Sequence, residues 1–320
     1  MVERYMASSP QPTPLRSPRP NLIPPSELES FIRTLDRFFE QLQTASHAGD
    51  PSLLEHYFAH CNTDAISFAD LVRALCQTRL WRGFEVSDNP YPKLCQDFAQ
   101  SVEHGSQIMQ PEPAYHSRAH FKDVCLALSA LASQVSFIGE GEEFDQQWQL
   151  SSEDWWILLF CAIAHDYGHP GTRNQTPFEL EKYAVDLTHE FLLRSSYPLL
   201  KIKSLMADLE PIVLATDPRY LDTLSHKFLN QDHPNSRTDL MELLLVEADL
   251  CASALPKRGT SLGEQLAKEW ESSDAKMAQI VKSDAGRIRF LEGIAFYSPH
   301  ARRLHIETIR LNSIQVLKVS

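Results

Sequence analysis

Between Ser26 and Gln43 the chain reads SELESFIRTLDRFFEQLQ, and its apolar positions Phe31, Leu35, Phe38, Phe39 and Leu42 recur three or four residues apart. That spacing lines one face of an α-helix. Ser26 followed by Glu29 three positions on predicts a capping box at the start of that helix. Helical text continues through PSLLEHYFAHC, FADLVRALCQTRLW and PKLCQDFAQSVEHG, broken by asparagine, proline and glycine. The acidic, irregular stretch SFIGEGEEFDQQWQLSSEDW then predicts an exposed, solvated connection rather than a cation site. After it come WWILLFCAIA, LEKYAVDLTHEFLL, LLKIKSLMADLEPIVLA and DLMELLLVEADLCASAL, with further helical text to the end. Two-residue alternation bounded by turns is scarce and no repeat is visible, so the expectation is an all-α, compact multi-helix bundle.

Composition narrows the class. The 320 residues are 43% hydrophobic and 22% charged, as in an ordinary globular chain. Residues 1–25 hold seven of the twenty prolines and read as a disordered arm. Residues 26–110 are expected to form an N-terminal helical subdomain and 111–320 a catalytic helical domain. A net charge of −12 argues against a nucleic-acid polymer as partner, though a local basic pocket could hold a small anion. Six scattered cysteines with no C-x-x-C pair favour a reducing compartment over a disulfide framework. No stretch reaches the roughly 18–20 apolar residues of a membrane span, and the first twenty residues lack the apolar core of a signal peptide. The expectation is a cytoplasmic protein with no membrane partner.

The apolar run Trp155–Ala164 ends abruptly in His165, Asp166 and His169; His165 and His169, four apart, would share one helix face before Pro170 and Gly171 stop the helix. A core helix that terminates in imidazoles and a carboxylate is placing them where it can open onto a cleft. His116 and His120, four apart in AYHSRAHF, would share one helix face, and a helix beginning near Tyr115 would offer free amides to an anion. Asp217 closes the apolar run VLATD, and Asp249 sits in the apolar LLLVEADL with Glu247 close by. Singly each piece also fits surface histidines, a cap or a buried salt bridge. Together, two histidines and two aspartates from apolar helices match the ligands of Zn²⁺, Mn²⁺ or Fe²⁺, and a cation would remove the cost of the buried carboxylates.

In that order, YHSRAH, HDYGHPGTRN, LATD and EADL resemble the metal-binding motifs of class I cyclic nucleotide phosphodiesterases, a helical branch of the HD-domain metallohydrolases. The separations, 45 positions from His120 to His165 and 83 from Asp166 to Asp249, are also similar to that family's, and the likeness covers roughly residues 110–305. The resemblance implies two divalent metal ions, Zn²⁺ at a tight site held by His120, His165, Asp166 and Asp249, and Mg²⁺ or Mn²⁺ at a second site bridged by Asp166. It implies His116 as general acid, with His169 and Asn174 supporting the site, and Thr216, Asp217 and Glu181 behind it. Two such ions about 3.5–4 Å apart can polarise a phosphodiester and make water nucleophilic near neutral pH. A histidine must then protonate the alkoxide that leaves, and a carboxylate neighbour would keep such a ring charged. The implied substrate is a small 3′,5′-cyclic nucleotide, cAMP or cGMP or both.

The text departs from the family around the base. Where the family has an asparagine after the last aspartate this chain has Ala252, and the family's purine-binding glutamine aligns with Arg287 in GRIRFLEGI. Arginine offers donors only and cannot read a base edge both ways as an amide does. Phe290 keeps the stacking position, and Tyr115 is placed to line the pocket beside His116. Another nucleotide or small phosphodiester handled by an HD-type phosphohydrolase, or a non-catalytic sensor on the same fold, are the competing readings.

Overall fold

A computed structural model describes residues 23–44, 50–108, 111–135, 148–229 and 234–319. Most of the proline-rich arm, 1–22, and the acidic stretch 136–147 lie outside the described residues. The described residues hold sixteen α-helices. The first seven are α1 (Pro25–Thr44), α2 (Ser52–Cys61), α3 (Phe68–Leu75), α4 (Arg79–Gly83), α5 (Tyr91–Ile108), α6 (Arg118–Ala132) and α7 (Ser152–Ala164). Then come α8 (Glu179–Arg194), α9 (Leu199–Leu214), a 3₁₀ turn at Pro218–Tyr220, α10 (Leu221–Leu229) and α11 (Arg237–Ala254). The last five are α12 (Pro256–Trp270), α13 (Ala275–Lys282), α14 (Asp284–Glu292), α15 (Pro299–Arg303) and α16 (Ile306–Val319). The described residues contain no strand, so the predicted all-α class holds.

The centre is α7. Every residue from Asp154 to Ala164 is buried, because α5, α6, α9 and α11 pack around it. Burying a helix on all sides is what an all-round apolar sequence requires. α6 and α11 lie against each other along their lengths and bring their polar ends beside the end of α7. The helices before α6 share one continuous hydrophobic core with it, through Phe38, Phe58, Phe68, Trp81 and Phe98. All six cysteines are buried and free, and no helix among the described residues is long and apolar enough to cross a membrane.

Several local expectations change. α1 starts at Pro25, one residue before Ser26, with the Leu28 amide donating to Pro24 O; Ser26 therefore falls inside the first turn and Glu29 beyond it, and the two do not form the cap. Proline tolerates that first position because its missing N–H has no helical partner anyway. The C-terminal end of the acidic stretch is ordered: Trp148 is buried, and Ser151 with Asp154 forms the capping box of α7. Asp154 also pairs with Arg237 at the start of α11 (2.5 Å). Charge there serves a helix start and a tie between helices instead of solvation.

Polar ties fix the helices relative to one another. Asp123, buried on α6, accepts from Arg258 on α12 (2.7–2.8 Å) and from Asn62 (2.6 Å). Breaking one partner of such a buried pair strands the other, which costs far more than the pair contributes. His300 on α15 has no such support. It is buried edge-on to Trp155 (ring centroids 5.5 Å), its Nδ1 has no hydrogen-bond partner, and burial lowers its pKa from 6.5 to about 3. The unfolded chain thus takes up a proton that the folded chain refuses, so stability is lost as pH falls from about 6.5 toward 3. His300→Phe should flatten that acid limb by up to about 1.4 kcal/mol per pH unit. Urea unfolding at stepped pH measures it, and parallel wild-type and variant curves would show that His300 titrates without leaving the core.

Candidate metal centre and acid pair

Four ligand atoms converge where α6, α7 and α11 meet. His120 stands in the first turn of α6, His165 caps the C-terminus of α7, Asp166 follows it, and Asp249 lies on α11. His120 Nε2 is 3.2 Å from His165 Nε2, 3.2 Å from Asp166 Oδ2 and 3.1 Å from Asp249 Oδ1. His165 Nε2 is 3.2 Å from Asp166 Oδ2 and 3.9 Å from Asp249 Oδ1. Adjacent ligands bonded to a divalent cation at about 2.0–2.2 Å stand about 2.8–3.6 Å apart, depending on whether the shell is octahedral or tetrahedral. His120, His165 and Asp249 form a group that could hold such an ion, and Asp166 Oδ2 stands at ligand spacing from both imidazoles, whereas the 3.9 Å between His165 and Asp249 is wider than that of adjacent ligands.

Protonation strengthens that fit. His165 Nδ1 donates to Ala162 O (2.9 Å), so in the neutral ring Nε2 carries a lone pair aimed at His120 Nε2. Two facing imidazole lone pairs repel unless a proton or a cation stands between them. Burial opposes charge on His120, but its hydrogen bonds to Asp166 and Asp249 and their charges outweigh it and raise its pKa to about 10. Burial likewise opposes charge on Asp166, and the charges of His165 and His116 hold its carboxyl well below the usual range. The cluster is short of positive charge, which a proton supplies weakly and a divalent cation strongly. The other nitrogen of His120, Nδ1, is buried with no partner, and its ring packs on Tyr115 (centroids 4.8 Å).

His116 is arranged differently from the expectation. α6 begins at Arg118, so His116 precedes the helix and does not share a helical face with His120. The free amides of Tyr115 and His116 do bind an anion, and it is the chain's own Glu269: Oε2 accepts from both (2.8 and 3.0 Å), and Oε1 accepts from His116 Nδ1 (2.6 Å). Burial raises the pKa of Glu269, but the bond to His116, its charge and the two amides win and hold the carboxylate low. His169 also leaves the predicted pairing with His165. α7 stops at Ala164 and Gly168 turns the chain at φ +78°, where a Cβ would lie 2.3 Å from Leu187. His169 then stacks on His116 with ring centroids 3.5 Å apart. Its Nδ1 accepts from the Gly171 amide (3.1 Å), and burial followed by the charge of His116 lowers its pKa to about 3. His169 is a neutral platform under His116.

The remaining residues brace the rim. Buried Asp217 accepts from the Arg219 amide (2.9 Å) and from the Phe178 amide (2.7 Å), holding Phe178 at φ +61°, a left-handed conformation costly for a bulky residue. Thr216 donates to Val213 O (2.8 Å). Asn174 donates to both oxygens of Glu181 (3.1 and 3.0 Å) and accepts from the Leu180 amide (2.8 Å). Burial raises the pKa of Glu181 to about 7. Glu247, two residues before Asp249, turns away and accepts from the Tyr297 and Ser298 amides that lead into α15 (2.6 and 2.8 Å), where Ser298 is the cap.

One cavity of about 290 Å³ collects Tyr115, His116, His120, Asp166, His169, Asn174, Glu181, Thr216, Asp217, Asp249 and Phe290. Of the predicted residues, His165 sits behind the others and Arg287 is elsewhere. Arg287 turns to the far side of α14, donating to Leu255 O and Pro256 O (2.9 Å each), so the structure does not bring it to the position expected of a base reader. Ala252 is buried in the core. Glu269, Trp270, Arg173 and Arg219 were not found from the sequence; the last three line the cavity and Glu269 anchors His116. Lys268-Glu269-Trp270 reads as an ordinary helix end, and nothing local marks its carboxylate.

An all-α bundle with a His₂Asp₂ cluster at the floor of a cavity, beside a His–Glu pair, defines the class of site. No protein-family model and no curated protein sequence matches the chain. Among solved structures, the phosphodiesterase domain of Salpingoeca rosetta rhodopsin phosphodiesterase matches with a TM-score of 0.58 and 17% identity, covering 82% of this chain and 89% of that one. A second structure, of the phosphodiesterase domain of a RhoPDE fusion protein from the same choanoflagellate, matches at 0.55 and 16% identity, over 82% and 94% of the two chains. LmjPDEB1 in complex with IBMX matches at 0.55 and 14% identity, over 93% and 97%. At such identities the likeness establishes the fold: the chain has the all-α fold of phosphodiesterase catalytic domains.

The donor set predicts metal retention. Purified protein should hold tight divalent metal by elemental analysis, and Asp249→Ala should lose it while keeping its helical circular dichroism. Equal metal content in both proteins would remove Asp249 from the ligand set.

Proposed function

We propose that the chain is a metal-dependent phosphodiesterase of the class I cyclic nucleotide type, converting a 3′,5′-cyclic nucleotide to its 5′-monophosphate. The observation that carries this is the convergence of His120, His165, Asp166 and Asp249 beside the His116–Glu269 pair in one cavity. When bound, a tight Zn²⁺ and a second Mg²⁺ or Mn²⁺ reached through Asp166 would neutralise phosphate charge and lower the pKa of water. The chain does the rest. Glu269 fixes His116 through Nδ1, leaving Nε2 to deliver a proton to the departing ribose oxygen. His169, uncharged, supports that ring without competing for the proton. The Asn174–Glu181 pair and Asp217 hold the loop that forms the opposite rim.

Recognition of the base rests on Phe290, which is 41% exposed on the cavity wall, together with Leu250 and Leu266. Among the described residues Asn174 supplies the only side-chain amide of the lining, and it is engaged by Glu181 and Leu180. A flat base is therefore held by stacking and shape, and both cAMP and cGMP are expected to fit. The same lack of a free amide favours, as second reading, another small phosphodiester handled by the same machinery. The cytoplasmic setting suggested by the free cysteines belongs to this proposal too.

Purified protein with Mn²⁺ or Mg²⁺ should hydrolyse cAMP and cGMP, and Asp249→Ala should abolish turnover. Cleavage of bis-p-nitrophenyl phosphate without either cyclic nucleotide would keep the chemistry and replace the substrate. His116→Ala should retain metal and slow cyclic nucleotide hydrolysis by about 10²–10⁴-fold, with a much smaller effect on p-nitrophenyl esters, whose leaving group needs no proton. Equal losses on both would exclude His116 as the acid. Glu269→Gln should move the pH profile of kcat with little change in KM.

A further inference from the structure

A second cavity, of about 250 Å³, opens on the far side of α12 and α14 from the metal centre. Its wall includes Pro256, Thr260, Arg287, Ile309, Val316 and Leu317. The space equals that of about eight liquid waters. Among the described residues the wall carries no ionisable side chain apart from Arg287, and Asn312 and Ser313 are its further polar groups beside Thr260.

The charge of Arg287 is not matched there. Its guanidinium donates to Leu255 O and Pro256 O (2.9 Å each) and to Thr260 Oγ1, all uncharged acceptors. Its Nε is buried with no partner. Among the described residues no carboxylate forms an ion pair with it; Glu55 and Asp284 act only at longer range, and Glu55 is already engaged by the Lys257 and Arg258 amides (2.7 and 3.3 Å). Burial lowers the pKa of Arg287, the sign of a cation held with too little compensation. Gly259 makes room for it: a Cβ there would lie 2.9 Å from Arg287 Nη2 and 2.2 Å from Ser253 O. Arginine carries five donors; the two bonds from Nη2 and the one from Nη1 leave a second Nη1 N–H free for an anion, Nε being sealed from the cavity.

We propose that this cavity binds a small amphiphilic anion, with a carboxylate on Arg287 and a short apolar body against Ile309, Val316 and Leu317. The two cavities share walls. On α12, Pro256 and Thr260 face this one, whereas Leu266 and Trp270 line the large one and Glu269 anchors His116. On α14, Arg287 faces this cavity and Phe290 the other. A ligand that shifts either helix therefore reaches both the acid pair and the stacking ring.

Isothermal titration of the metal-loaded full chain with octanoate and with octanol tests the site. Octanoate should bind saturably at one site, and octanol at least about tenfold more weakly. Arg287→Met should bring octanoate down to the level of octanol. Val316→Trp, at a position 64% exposed and so tolerant of bulk, should weaken octanoate by filling the mouth. Absence of saturable binding, equal affinity for acid and alcohol, or affinity undiminished in Val316→Trp would each overturn the proposal. If Arg287→Met does not fold, the acid–alcohol comparison and Val316→Trp still decide. The coupling rests on the proposed hydrolysis and is read apart from binding: saturating octanoate should change KM for the cyclic nucleotide by about twofold or more in the wild type but not in Val316→Trp. An unchanged KM with binding intact removes the coupling and keeps the site.

Discussion

The structure depends on two half-buried carboxylates gathered against two buried imidazoles at the floor of a cavity. Asp166 and Asp249 meet two imidazoles at the junction of α6, α7 and α11, and each imidazole approaches both carboxylates to 3.1–3.9 Å. No apolar packing explains that convergence, since unpaired buried carboxylates are costly. Three helices must hold their positions for the cluster to exist, and the apolar all-round burial of α7 is what makes that end rigid. The most hydrophobic element of the chain and its most polar site are thus two ends of one requirement.

Around this centre, carboxylates act chiefly on backbone amides of distant segments. Glu269 binds the Tyr115 and His116 amides, Asp217 that of Phe178, and Glu247 those of Tyr297 and Ser298. Glu103 takes the amide that opens α3, Glu55 those that open α12, and Asp36 that of Arg79. Each satisfies a donor that a helix start or a loop leaves free. Several of the acidic residues behind the net charge of −12 are therefore structural anions placed against partial positive charge. The consequence is precise placement: the loop before α6, which carries His116, is tied to α12, and the loop before α8 is tied to the segment after α9.

α12 and α14 give the molecule its second layer of organisation. Their inner faces complete the large cavity with Leu266, Trp270 and Phe290, and their outer faces form a smaller apolar cavity around Arg287. Two packed helices cannot move toward one cavity without altering the other, because interiors at close-packed density transmit displacement.

Much was decided by the sequence alone. Helical periodicity and the scarcity of alternation specified an all-α bundle, and the run ending in His165 and Asp166 marked the candidate metal centre, because chemistry-bearing groups at the end of an apolar helix have few other uses. Tertiary structure decided what spacing could not. Four-residue spacing suggested helical pairs for His116 with His120 and for His165 with His169, yet both outer histidines lie off the helices and stack on each other. Glu269 is 153 residues from the histidine it orients, and no local pattern encodes a partner at that distance. Alignment put Arg287 at the base; the direction it takes from α14 puts it in another cavity. Local sequence determines which residues share a helix face, whereas the packing of helices distant in sequence determines which faces meet.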